Sequence, residues 1–214
     1  MRVDVDLDRR NMEAELAALY GRLRLRGDAM QPVPAFAPRA PELVFCCREI
    51  DGEFHVYAED PARNVLAGCT VFNRVFELDA EVGRFVRSPH SRYAPAYQRK
   101  GVATAVYQWA LQAGMSLVSG PRQSVGAYRL WEALGRSWEL LVVSLEGRTL
   151  RAIAGGAERQ ALEVFDTRMM LVGTGWARSL PTPVIPALPS VIPAKGGTQG
   201  SPKEGSVTPP SPSP

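Results

Sequence analysis

Long apolar runs, disulfide-type cysteine spacing and a strong charge imbalance are all missing from this chain of 214 residues. No stretch approaches the roughly 20 consecutive apolar residues that cross a bilayer, so no membrane partner is expected. Three cysteines, Cys46, Cys47 and Cys69, are too few for a disulfide framework and have no zinc spacing. They fit a reducing, cytoplasmic setting. The segment from Met1 to Asp6 lacks the apolar core of a secretory signal. Twenty-five Lys and Arg against 22 Asp and Glu leave a net +3, too mild to favour nucleic acid as a partner. Histidine is scarce, with two residues, His55 and His90. What is present, 45% hydrophobic and 22% charged residues, is ordinary for a folded domain.

Proline is unevenly spread: ten of the 18 lie between positions 181 and 214. That segment also collects Gly and Ser and has no aromatic residue, so it has little to bury against the entropy of ordering. The expected organisation is a folded domain over 1–178 and a disordered Pro/Gly/Ser-rich tail over 179–214. The Pro183-Val184-Ile185-Pro186 step fits a PxxP docking motif, although a plain solvated tail is the simpler reading.

Within the domain, hydrophobic periods change in kind. Met12, Leu16, Leu19, Tyr20 and Leu23 recur at helical spacing and predict a helix from about Arg9 to Leu23. Leu43–Cys47 and Phe54–Tyr57 read as strands joined at Asp51-Gly52, a hairpin signal. Val65–Phe72 reads as a third strand, and an extended stretch runs from Arg84 to Tyr93. Val102, Ala103, Val106, Trp109, Ala110 and Ala113 then form a helical stripe that stops at Gly114. Leu117-Val118 reads as a short buried strand, Ser124–Leu134 as a helix, and Trp138–Leu145 and Arg168–Val172 as strands around a Gly155-Gly156 loop. The expected fold class is α/β with a mixed sheet.

The stretch with chemical content joins a strand to a helix: Tyr93-Ala94-Pro95-Ala96-Tyr97-Gln98-Arg99-Lys100-Gly101-Val102-Ala103-Thr104. First-turn amides of a helix lack internal partners and carry the positive end of its dipole. Gly101 leaves room for a phosphate to approach the backbone. Arg99 and Lys100 add positive charge at an end where the dipole disfavours it, and an anionic guest explains that placement.

Gln98-x-x-Gly101-x-Ala103, preceded by Pro95-x-Tyr97, resembles the Q/R-x-x-G-x-G/A acyl-CoA-binding motif of the GNAT superfamily of N-acetyltransferases. Ser124-x-x-Ala127-x-x-Leu130-Trp131-Glu132-Ala133-Leu134-Gly135 is similar to that family's second signature, commonly N-x-x-A-x-x-L-Y-E-x-L-G. The resemblance covers roughly Arg84 to Leu145. It implies a central twisted, mostly antiparallel sheet with a splayed parallel strand pair and flanking helices, and acetyl-CoA or coenzyme A as cofactor. The amides of Arg99, Lys100, Gly101, Val102, Ala103 and Thr104 would cradle the pyrophosphate. Ser91 to Ala94 would pair with the pantetheine arm, and an amide near Tyr93 and Ala94 would polarise the thioester. Ser124 would flank the thioester. The implied activity is N-acyl transfer to a small-molecule or protein amine by direct attack in a ternary complex. A homodimer is compatible with it.

The chain departs from the family pattern at Ser124, where Asn is common, and at Trp131, where Tyr is common as proton donor to the leaving thiolate. Indole N–H does not ionise in the required range, which leaves Tyr128 or Ser124 as substitutes. An alkyl ammonium must lose its proton at a cost of roughly 4–5 kcal/mol at pH 7, and His90 is the leading candidate base, with Glu77, Glu81 and Glu132 behind it. The cysteines and Trp109 read as packing residues, and Arg84, Arg87 and Arg92 as solvated surface with strand parity separating Arg87 from the others. Two alternatives stay open: a phage-type nucleobase- or DNA-modifying enzyme of the same fold, and a non-catalytic coenzyme A-binding adaptor acting through its tail.

Overall fold

A computed structural model of the chain describes residues 2–3, 9–26, 30–153 and 167–176. The Gly155-Gly156 loop and the tail over 179–214 lie outside the described residues. In chain order the elements are β1 (Arg2–Val3), α1 (Arg9–Arg26), β2 (Gln31–Pro32), β3 (Val44–Ile50), β4 (Glu53–Asp60), β5 (Val65–Arg74), α2 (Ala80–Gly83) and β6 (Val86–Tyr93). A single turn, Pro95–Tyr97, leads into α3 (Val102–Gln112), followed by β7 (Ser116–Val118), β8 (Arg122–Gln123), α4 (Val125–Leu134), β9 (Leu140–Glu146), β10 (Thr149–Ala152) and β11 (Thr167–Leu171).

Nine strands form one mixed sheet in the order β10-β9-β11-β7-β6-β5-β4-β3-β2, and β1 pairs with β8 apart from it. Each long strand predicted from alternation is present within two or three residues of its expected ends. The β3–β4 hairpin turns at Asp51 and Gly52, both at positive φ (52° and 78°), as a two-residue turn matched to strand twist requires. The strands not expected (β1, β2, β8 and β10) have two to four residues, too few for a period to register. One expectation fails: Arg84 does not extend β6. It follows α2 in helical conformation, and its guanidinium lies 4.6 Å from the Phe85 ring centre. Arg87 is not solvated surface either, because its side chain is buried and its Nη1 donates to the carbonyls of Gly83, Arg84 and Val86.

Helices cover both faces of the sheet. On one face α3 and α4 pack over β5 and β6, with Tyr107 of α3 against Phe72 and Trp131 of α4 edge-on to Tyr107. Strand alternation sends Thr70, Phe72, Ser91 and Tyr93 to this face and Cys69, Val71, His90 and Arg92 to the other. There α1 packs through buried Met12, Leu16 and Leu23, with Arg92 donating to Glu15 at 3.0 Å. No described helix is long and apolar enough to cross a membrane.

Candidate active site

Among the described residues the nine-stranded sheet has one parallel pairing, at its centre, and that pairing is brief. β6 meets β7 only at Val86–Ser116 and Arg87–Leu117. Beyond this point β6 keeps to β5 through Tyr93, while the chain after β7 keeps to β11, with the Ser119 amide donating to the Met169 carbonyl at 2.8 Å. The two strands therefore fork. The Ala94 amide donates to the Ala67 carbonyl, so Tyr93 and Gly68 face each other as a non-hydrogen-bonded pair. By the alternation of an antiparallel ladder, the backbone groups of Pro89, Ser91 and Tyr93 then point into the fork. Pro89 loses nothing from the ladder to β5, because its missing N–H is on the fork side.

This geometry corrects one expectation. The Ala94 amide is committed to Ala67 and is unavailable to a thioester, which leaves the Tyr93 amide on the fork side. The Tyr93 carbonyl accepts a 2.8 Å bond from Gln98 Nε2, so the Gln98 side chain ties the following loop to the strand end rather than reaching toward a ligand. The Tyr93 hydroxyl meets Thr70 Oγ1 at 2.8 Å, and Thr70 Oγ1 also meets Ser91 Oγ. Ser91 Oγ in turn donates to Tyr107. Burial raises both phenols, Tyr107 to about 12 and Tyr93 further, so these hydroxyls stay neutral and serve as packing and hydrogen-bonding groups.

At the mouth of the fork the chain turns sharply. Arg99 and Gly101 both have left-handed backbone, at φ 58° and 82°. Gly101 is the N-cap of α3 and supplies no side-chain cap, so the first-turn amides of Val102, Ala103 and Thr104 have neither an intrahelical nor a capping partner. A Cβ at Gly101 would meet nothing within 4 Å, so the turn that precedes these donors is open. Arg99 is exposed, and the Lys100 ammonium lies 5.3 Å from the Tyr97 ring centre. Open, uncapped amides beside two cations fit a diphosphate, the group the cofactor expectation requires here.

The remaining candidates separate by face. Ser124 is the N-cap of α4, and its Oγ accepts from the Ala127 amide at 3.2 Å, which gives it a structural role. Tyr128 is half-buried on α4 and packs on the main core. Trp131 is 2% exposed, so the position common to a catalytic Tyr is a core position in this chain. His90 is exposed on the α1 face of β6, and the register places His55, Val71 and His90 side by side across three strands. Glu77, Glu81 and Glu132 are exposed. Burial raises all three thiols, Cys46 to about 12 with Glu59 adding to the effect and Cys47 to about 11, as packing cysteines require. No group of metal-binding side chains occurs among the described residues.

Sequence reasoning missed one cluster. Asp60, the last residue of β4, is 1% exposed and accepts a 2.6 Å bond from the Tyr97 hydroxyl. The Arg63 amide donates to its other oxygen, and Arg63 Nη1 donates to the Tyr97 hydroxyl. The Tyr97 bond is the main reason the Asp60 carboxyl is held below its usual range. Nothing local in the sequence pairs residues 37 positions apart.

No protein-family model matches the chain, and no curated protein matches it. Among solved structures it is similar to a GNAT superfamily phosphinothricin acetyltransferase from Sinorhizobium meliloti in complex with acetyl-CoA, at 19% identity, covering 63% of this chain and 69% of that one with a TM-score of 0.36. It is also similar to yncA from Salmonella typhimurium, solved with its cofactor acetyl-CoA, at 16% identity, covering 78% and 90% with a TM-score of 0.36. At this level the likeness decides neither ligand nor activity, and both rest on the fork and the turn at Gly101.

Proposed function

We propose that the chain is an acyl-CoA-dependent N-acyltransferase. The observation that carries this reading is the open, uncapped N-terminus of α3 at the mouth of a forked parallel strand pair. A diphosphate fits the amides of Val102 to Thr104, where each charge–dipole contact contributes about 0.3–1 kcal/mol, and Arg99 and Lys100 add charge at the same end. An extended arm with amide groups fits the fork-side backbone of Ser91, as an added strand would, since Gln98 already holds the Tyr93 carbonyl. Bound in this way, acyl-CoA supplies the activated acyl group as a thioester.

The chain's own residues then divide the work by face. α3 and α4 close one face of the sheet through Tyr107, Phe72 and Trp131, while His90 is exposed on the other, so the amine acceptor approaches from the side of His90. His90 lies on that face and takes the proton that the acceptor must lose. The Tyr93 amide, on the fork side, donates to the oxygen on which charge develops. With Trp131 in the core, departure of the thiolate relies on its own acidity, with a thiol pKa near 8.5, or on water.

Titration calorimetry with coenzyme A, followed by a free-thiol release assay with acetyl-CoA across amine classes, tests the reading. One-to-one saturable binding and amine-dependent thiol release are expected. Absence of coenzyme A binding refutes it.

A further inference from the structure

The turn that presents the α3 amides has no regular structure of its own. Its two left-handed residues, Arg99 and Gly101, need an external hold to stay in register. One hold is the Gln98 amide on the Tyr93 carbonyl. The other comes from a distant strand. Tyr97 ends the turn that enters this loop and is 4% exposed, and its hydroxyl donates to a carboxylate that is almost wholly out of water. Asp60 is itself fixed by the Arg63 amide and lies 3.7 Å from the Arg63 guanidinium, so its 2.6 Å bond to the Tyr97 hydroxyl ties the loop to an anchored carboxylate. The Tyr97 ring also sits beneath the Lys100 ammonium. One side chain thus places both the backbone and a cation of the phosphate-facing loop.

We infer that Asp60 and Tyr97 are positioning residues for the cofactor-binding loop, with Asp60 locking Tyr97 so that Lys100 and the α3 amides converge on the diphosphate. This rests on the acyl-CoA reading above. The link is read at the diphosphate end, because the Tyr97 hydroxyl and Lys100 belong to the loop after β6, whereas Tyr93 is held separately through Gln98.

The test compares two acyl donors, acetyl-CoA and S-acetylpantetheine, which has the thioester arm but no diphosphate. Tyr97→Phe keeps the ring and removes the hydroxyl. It should raise KM for acetyl-CoA about tenfold with kcat unchanged, and leave KM for S-acetylpantetheine as in the wild type. Asp60→Asn should do the same, and the double variant should be no worse than either single one, because both break one link. Thermal melts accompany each assay, since loss of Asp60 pairing also lowers stability. An equal effect of Tyr97→Phe on both donors, or no effect on acetyl-CoA, overturns the inference. The acyl-CoA reading fails separately, if the wild-type chain does not bind coenzyme A.

Discussion

Gly101→Ala separates what the turn contributes to folding from what it contributes to binding. Its φ of 82° costs a residue with a Cβ about 1–2 kcal/mol. The new methyl meets nothing within 4 Å, so no clash adds to this. At about 2–4 °C per kcal/mol for a chain of this size, the melt should fall by about 2–8 °C. Binding has a different cost. A methyl at this turn would crowd a diphosphate seated there and weaken its hold on two or three amides worth about 0.3–1 kcal/mol each. The sum, about 0.6–3 kcal/mol, corresponds to a loss of roughly 3- to 150-fold in affinity. Titration with coenzyme A, well below the variant's melting temperature, reads the second effect apart from the first. A melt lowered as expected with the affinity unchanged within a factor of about two would show that no ligand rests on this turn.

Ser124→Ala should cost about 1 kcal/mol of stability through the lost cap on α4 and leave kcat in place, since the Ser124 oxygen is engaged with the Ala127 amide. A large loss of kcat with an unchanged melt would instead make the hydroxyl a participant in the reaction. Alkylation of the native chain by iodoacetamide should be slow at pH 8 and speed up only as pH rises toward the raised thiol values. The reactive thiolate is the minor form below a group's pKa, and burial puts Cys46 at about 12 and Cys47 at about 11. Denaturant should abolish that protection. Rapid labelling of the folded chain at pH 7 would contradict the buried positions.

Local pattern was enough for the longer strands and helices and for the turn that leads into α3. Alternation in β3 to β6, the helical stripe of α3 and the Ser124 and Gly135 boundaries of α4 each follow from neighbours a few residues apart, which is the range over which side-chain period and capping act. The turn at Gly101 was legible for the same reason: a glycine after two cations, at the start of an apolar stripe, is a local signal. Tertiary structure alone decided where these pieces meet. The fork depends on β7 following β11 while β6 follows β5, and such a choice of partners is made across the sheet. It also placed Trp131 against Tyr107, moved the Ala94 amide out of use and paired Asp60 with Tyr97. These are long-range contacts between groups that have no relation until the sheet has closed, and they decide which donors, hydroxyls and charges remain available for a ligand.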